Sequence, residues 1–77
     1  MLQIGSSNLG QIPSAGTPVR WDYIAVSETQ YIGFGSATTT DSSVIIIKKN
    51  VRNPSTGVIT TTYALDTWTN HLTATYA

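Results

Sequence analysis

The sequence predicts an all-β fold, a small antiparallel β-sandwich or open barrel of about five strands with an extended N-terminal arm. Three observations carry that expectation. Val44–Ile47 and Val58–Thr62 are β-branched runs joined through Asn53-Pro54 and Gly57, so 44–63 reads as a long hairpin. No segment sustains a helical period. The apolar runs are also separated by short polar stretches, too brief for crossover helices.

Taken in order, residues 1–18 hold three of the six Gly, two of the three Pro and three Ser. Leu2, Ile4, Leu9 and Ile12 recur too irregularly for a helix or a strand, and each Pro biases its predecessor to extended backbone. The chain therefore divides into an arm, 1–18, and a single β-domain, 19–77. Val19–Ser27 is the first strand, with Val19, Trp21, Tyr23 and Ala25 on one face and Arg20, Asp22, Ile24 and Val26 on the other. Both faces carry apolar groups, so each is expected to be partly covered, with Trp21 in the core. Ser27–Gln30 is a turn into Tyr31–Ser36, where Gly33 and Gly35 mark a bulge or a close backbone approach. Ala37–Ser43 is a polar loop. After the hairpin, Ala64–Asn70 reads as a turn or a short helical turn. His71–Tyr76 is the final strand.

Composition narrows the function classes. A 77-residue chain is one domain at most, and at this size it buries only about 60–65% of its unfolded surface. Small domains compensate with disulfides, a structural metal or oligomerisation. The chain has no Cys and one His, which argues against disulfides, thiolate sites and imidazole-rich metal sites. No cofactor is expected. Oligomerisation or docking on a larger assembly is the option left. Charged residues make up 10% of the chain, against roughly 25% in typical domains. Thirteen Thr and eight Ser take up the polar share. Threonine covers a sheet face at a contact without the desolvation cost of a charge, and near-zero net charge favours association. A secreted Thr-rich β-domain is the competing explanation. No charged segment followed by an apolar run opens the chain, so the reading has no signal peptide and synthesis in the cytoplasm. The longest apolar run, Val44–Ile47, falls far short of the ~20 residues that span a bilayer.

The chemistry-bearing residues are few. Asp22, Glu28, Asp41 and Asp66 are scattered, no nucleophile elbow is present, and Gly33-Phe34-Gly35 lacks the third Gly and the helix of a phosphate loop. The chain is read as a non-enzyme, with His71 a surface or interface residue. Lys48, Lys49 and Arg52 could form a small anion patch. The simpler reading makes them gatekeepers against edge pairing, and counterion-release binding to DNA draws on more phosphate contacts than one chain offers. Among seven aromatics, Trp68 precedes the final strand in a loop and is the candidate interface or ligand residue. Exposed Trp and Tyr on a β-face would also suit sugar stacking.

The order Trp21–Val26 (WDYIAV), Tyr31–Thr40 (YIGFGSATTT), Ile45–Lys49 (IIIKK) and Trp68–Tyr76 (WTNHLTATY) resembles a group of very small tailed-bacteriophage proteins. The resemblance covers most of the chain beyond residue 18. It departs at His71, a place often held by Arg, and in the short stretch before Trp68. It implies a virion structural component: a capsid decoration (cement) protein, a tail or neck protein, or part of a receptor-binding apparatus. The implied partners are other virion proteins, with the chain present as a homo-oligomer or in many copies per particle. The residues expected to carry the contacts are Leu2, Ile4, Leu9 and Ile12 on the arm, Lys48, Lys49 and Arg52 on the hairpin, and Trp68. The alternative function is a small glycan-binding module used in host-surface recognition. A nucleic-acid binder is the third and weakest.

Overall fold

The computed structural model of the protein describes residues 16–77, so the arm positions Leu2, Ile4, Leu9 and Ile12 lie outside the described residues. Four strands, β1 (Thr17–Ile24), β2 (Thr29–Gly35), β3 (Val44–Arg52) and β4 (Ile59–Thr67), form one open sheet. The order in the sheet is the order in the chain, and every neighbouring pair is antiparallel. The all-β meander is as expected. Of the about five strands expected in a sandwich or open barrel, the described residues show four, in a single open sheet.

The hairpin forms because its connection is locally specified. Asn53 Oδ1 accepts the Ser55 amide at 2.9 Å, its carbonyl accepts the Gly57 amide at 2.7 Å, and its own amide donates to the Val58 carbonyl at 2.8 Å. Gly57 sits at φ 77°, where a side chain would be strained. At the β1–β2 connection a short 3-10 turn, Ala25–Ser27, leads into Glu28 at φ 48°. Glu28 is held there by Arg52, whose amide donates to its carbonyl at 3.1 Å and whose guanidinium meets its carboxylate at 2.7 Å.

The final strand does not form. Ala64–Thr67, expected as a turn, extends β4, because Ala64 pairs with Ile47 and Asp66 with Ile45. A 3-10 turn, Trp68–Asn70, follows. The Asn70 carbonyl then accepts the amides of Thr73 (2.9 Å) and Ala74 (2.8 Å). These local bonds curl His71–Tyr76 although its apolar residues alternate. Ala77 alone returns to the sheet, exchanging both backbone hydrogen bonds with Tyr63 at 3.0 and 3.1 Å.

Strand alternation sorts the side chains onto two faces. Tyr31, Ile45, Ile47 and Ala64 are buried on one, with Ile47 fully enclosed. Trp68 and Tyr76 of the C-terminal segment, with Ile24, pack against them. Gly33 makes this possible: a Cβ there would meet Ile45 Cδ1 at 2.9 Å and Trp68 Cε3 at 3.1 Å. The close approach anticipated at Gly33 is thus a side-chain one. The ten C-terminal residues supply most of the cover of this face among the described residues, flanked by the β2–β3 loop, whose Thr39 and Asp41 accept hydrogen bonds from Arg20.

Candidate functional site

The opposite face has no cover among the described residues. Register places Phe34, Ile46 and Leu65 side by side across β2, β3 and β4. The next row is Trp21, Ile32, Lys48 and Tyr63, and the one after it Tyr23, Gln30, Asn50 and Thr61. Trp21 is 64% exposed, Tyr23 59% and Leu65 72%, which overturns the expectation that Trp21 lies in the core. The physical reason is parity. Trp21 pairs with Ile32, whereas the core face is set by Tyr31 and Ile47 one residue away. The bulge between Pro18 and Arg20 fixes that register. Val44-Ile45-Ile46-Ile47 held the signal, since an apolar run without alternation gives both faces of a strand something to bury.

The face is apolar at one end and polar at the other. Across the polar end Thr61 Oγ1 donates to Asn50 Oδ1 at 2.7 Å, and Asn50 Nδ2 donates to Gln30 Oε1 at 3.0 Å. Among the described residues Lys48 has no carboxylate within ion-pair reach. Among the described residues the face therefore carries one uncompensated cation.

The basic cluster of the sequence is split. Consecutive strand positions point to opposite faces, so Lys48 and Arg52 lie on the open side and Lys49 on the covered side. Lys49 Nζ sits over the Tyr76 ring at 5.1 Å and the Tyr31 ring at 6.0 Å. Arg52 is tied to Glu28. Since β3 lies inside the sheet, its lysines guard no edge.

Trp68 is turned inward, half-buried and stacked on the His71 ring with centroids 4.0 Å apart and planes 6° from parallel. The His71 side chain, expected as a surface or interface residue, is 14% exposed and so packed within the chain and not on its open surface. Its Nε2 lies 2.8 Å from Asp22 Oδ2 and its Nδ1 2.7 Å from the Trp68 carbonyl. Both neighbours are acceptors, so neither ring nitrogen is left to activate a hydroxyl. In this arrangement His71 fastens the C-terminal segment to β1. Tyr76 completes the fastening by donating its hydroxyl to the His71 carbonyl at 2.6 Å. Burial, reinforced by the neighbouring Tyr31 and Asp66, pushes the Tyr76 phenol up to about 12.

Among the described residues no three side chains of His, Cys, Asp or Glu type come together as metal ligands, and no helix is long and apolar enough to cross a membrane. Comparison with protein-family models, curated proteins and solved structures finds no match. The open face is the feature on which function can be argued.

Proposed function

We propose that the protein is a non-enzymatic structural component of a bacteriophage particle, a capsid decoration or a tail or neck protein, that docks on its neighbours through the open face of its sheet. The single observation carrying this reading is the exposure of Trp21, Tyr23 and Leu65 beside half-buried Ile32, Phe34 and Ile46 on one contiguous surface. Four strands spaced ~4.8 Å apart, each of seven to nine residues rising ~3.3 Å, give a face of roughly 500 Å². Its apolar part, roughly 300 Å² of that, falls within the range of the largest apolar patch on soluble monomers, roughly 300–600 Å², where such patches mark interaction sites. Exposed aromatic side chains on a low-charge surface are the composition of protein contacts. The particle itself enters through the resemblance of strand order. Many copies with one modest interface each would attach firmly by avidity.

The test is retention on particles. Tagged wild type, Trp21→Glu and Leu65→Glu are supplied during infection, and copies per purified virion are counted by quantitative mass spectrometry. Wild type should be retained and both variants lost. Wild type absent from virions would refute the reading.

One observation favours a second function, glycan binding. Trp21 and Tyr23 stand two residues apart on the same face of edge strand β1, with both rings exposed. A pair of that kind can stack on successive sugars. Saturable quenching of tryptophan fluorescence by a surface polysaccharide, lost in Trp21→Ala and kept in Trp68→Phe, would support it. Silence against host polysaccharides would remove it.

A further inference from the structure

The open face is matched to itself. Stable domains pack at least two layers around a core, and here one side of the sheet is covered by the C-terminal segment and part of the β2–β3 loop, the other by nothing among the described residues. The chain carries four positive and four negative side chains, so two copies do not repel through net charge. The face of roughly 500 Å² is a flat footprint. That footprint is smaller than the ~800 Å² per partner of a standard interface and suits an association of modest, micromolar affinity.

We infer that a second copy of this chain covers the open face, the two sheets packing face to face about a two-fold axis that runs parallel to the strands. The inference deepens the docking reading above and rests on it. Two in-plane axes can relate facing sheets. An axis across the strands lays each strand on its own copy with its ends reversed. The row of Phe34, Ile46 and Leu65 then falls on the polar row of Gln30, Asn50 and Thr61, and Lys48 faces Lys48. An axis along the strands keeps the rows and exchanges the strands, β1 over β4 and β2 over β3. Trp21 then faces Tyr63 of the second copy, Phe34 faces Ile46 and Gln30 faces Asn50. Lys48 faces Ile32, with its stem against that side chain and its ammonium near the amide carbonyls of the polar rows. With sheets ~10 Å apart and strands ~4.8 Å apart, the two Lys48 backbones are about 11 Å from each other. Of the two, only this axis lays the apolar row of Phe34, Ile46 and Leu65 on itself and the amides of Gln30 and Asn50 on each other. The two-layer sandwich expected of one chain is thereby completed by two.

The experiment uses the full chain, which has no native Cys. Sedimentation velocity at about 100 µM, enough to populate complexes of micromolar Kd, should give the mass of two chains. Leu65→Glu and Trp21→Glu should weaken association at least roughly tenfold, the consequence of ~1.4 kcal/mol lost at the interface. Val26→Glu, on a turn residue that is 94% exposed, should leave it unchanged. For the axis, Trp21→Cys protein is mixed with Tyr63→Cys protein and treated with a bismaleimide spanning about 10 Å, the sheet separation. The mixture should cross-link, and Trp21→Cys alone should not, because those two positions lie roughly 17 Å apart across the sandwich. A one-chain mass at this concentration overturns the inference. If the face variants are still lost from virions, docking through this face survives; if they are retained, both fail. A two-chain mass with cross-linking in Trp21→Cys alone overturns the axis.

Discussion

Ile46 and Ile47 are neighbours in one run of isoleucine, yet the fold assigns them opposite fates, and the assignment can be tested energetically. Ile47 is 0% exposed. Truncating it to Ala removes three carbons, about 2.5 kcal/mol of transfer free energy at ~0.8 kcal/mol each. A residual cavity of roughly 80 Å³ adds about 2 kcal/mol at ~24 cal/mol per Å³ if nothing collapses, so Ile47→Ala should cost about 2.5–4.5 kcal/mol, depending on how far the site closes. A domain of this size has a total stability of roughly 4–10 kcal/mol, so the variant should sit close to unfolding. Leu65 lies on the neighbouring strand β4, paired with Ile46, so it points the other way and is 72% exposed. Removing the same number of carbons from a side chain only about one-quarter buried should cost under about 1 kcal/mol. The assay is urea denaturation followed by far-UV circular dichroism, at protein concentrations low enough to avoid self-association. Equal losses in the two variants would refute the assignment of faces, and with it the open surface.

The other expectations concern the covered side. In Gly33→Ala the new methyl meets Ile45, Arg20 and Trp68 at 2.9–3.1 Å; overpacking should cost about 1–3 kcal/mol and shift the Trp68 fluorescence. In His71→Phe the ring stack on Trp68 persists while the bonds to Asp22 and the Trp68 carbonyl are lost. A loss of about 1–2 kcal/mol should follow, together with faster hydrogen exchange of the Ala77 amide. Because the Tyr76 phenol is raised from 10.0 to about 12, its contribution to stability is present in full below pH 10 and is lost as the pH rises toward 12. The urea midpoint of wild type should fall across that window, and Tyr76→Phe should fall less.

What could be read before any coordinates was whatever short-range chemistry decides. The Asn53–Gly57 connection carries its own hydrogen bonds, so the hairpin was legible from the residues alone. The β-branched runs, the absence of a helical period and the short connections fixed an antiparallel meander. Gly33 announced a close approach without saying what approaches. The candidate surface was less legible. Lys48, Lys49 and Arg52 are adjacent in sequence, but period two divides adjacent strand residues between faces. Trp21 and Trp68 exchanged their expected places, Trp21 lying exposed and Trp68 packed inward.

The sequence by itself determined that the chain would form strands, where most of them begin and turn, and that each has two faces with apolar groups to bury. Only the tertiary structure decided which face is covered. Alternation makes the two faces equivalent until something packs on one. Here that something is the C-terminal segment, which the local bonds at Asn70 curl out of strand geometry and His71 pins to Asp22. A contact across 49 residues has no local signature, so neither the cover nor the bare surface it leaves behind could be read along the chain.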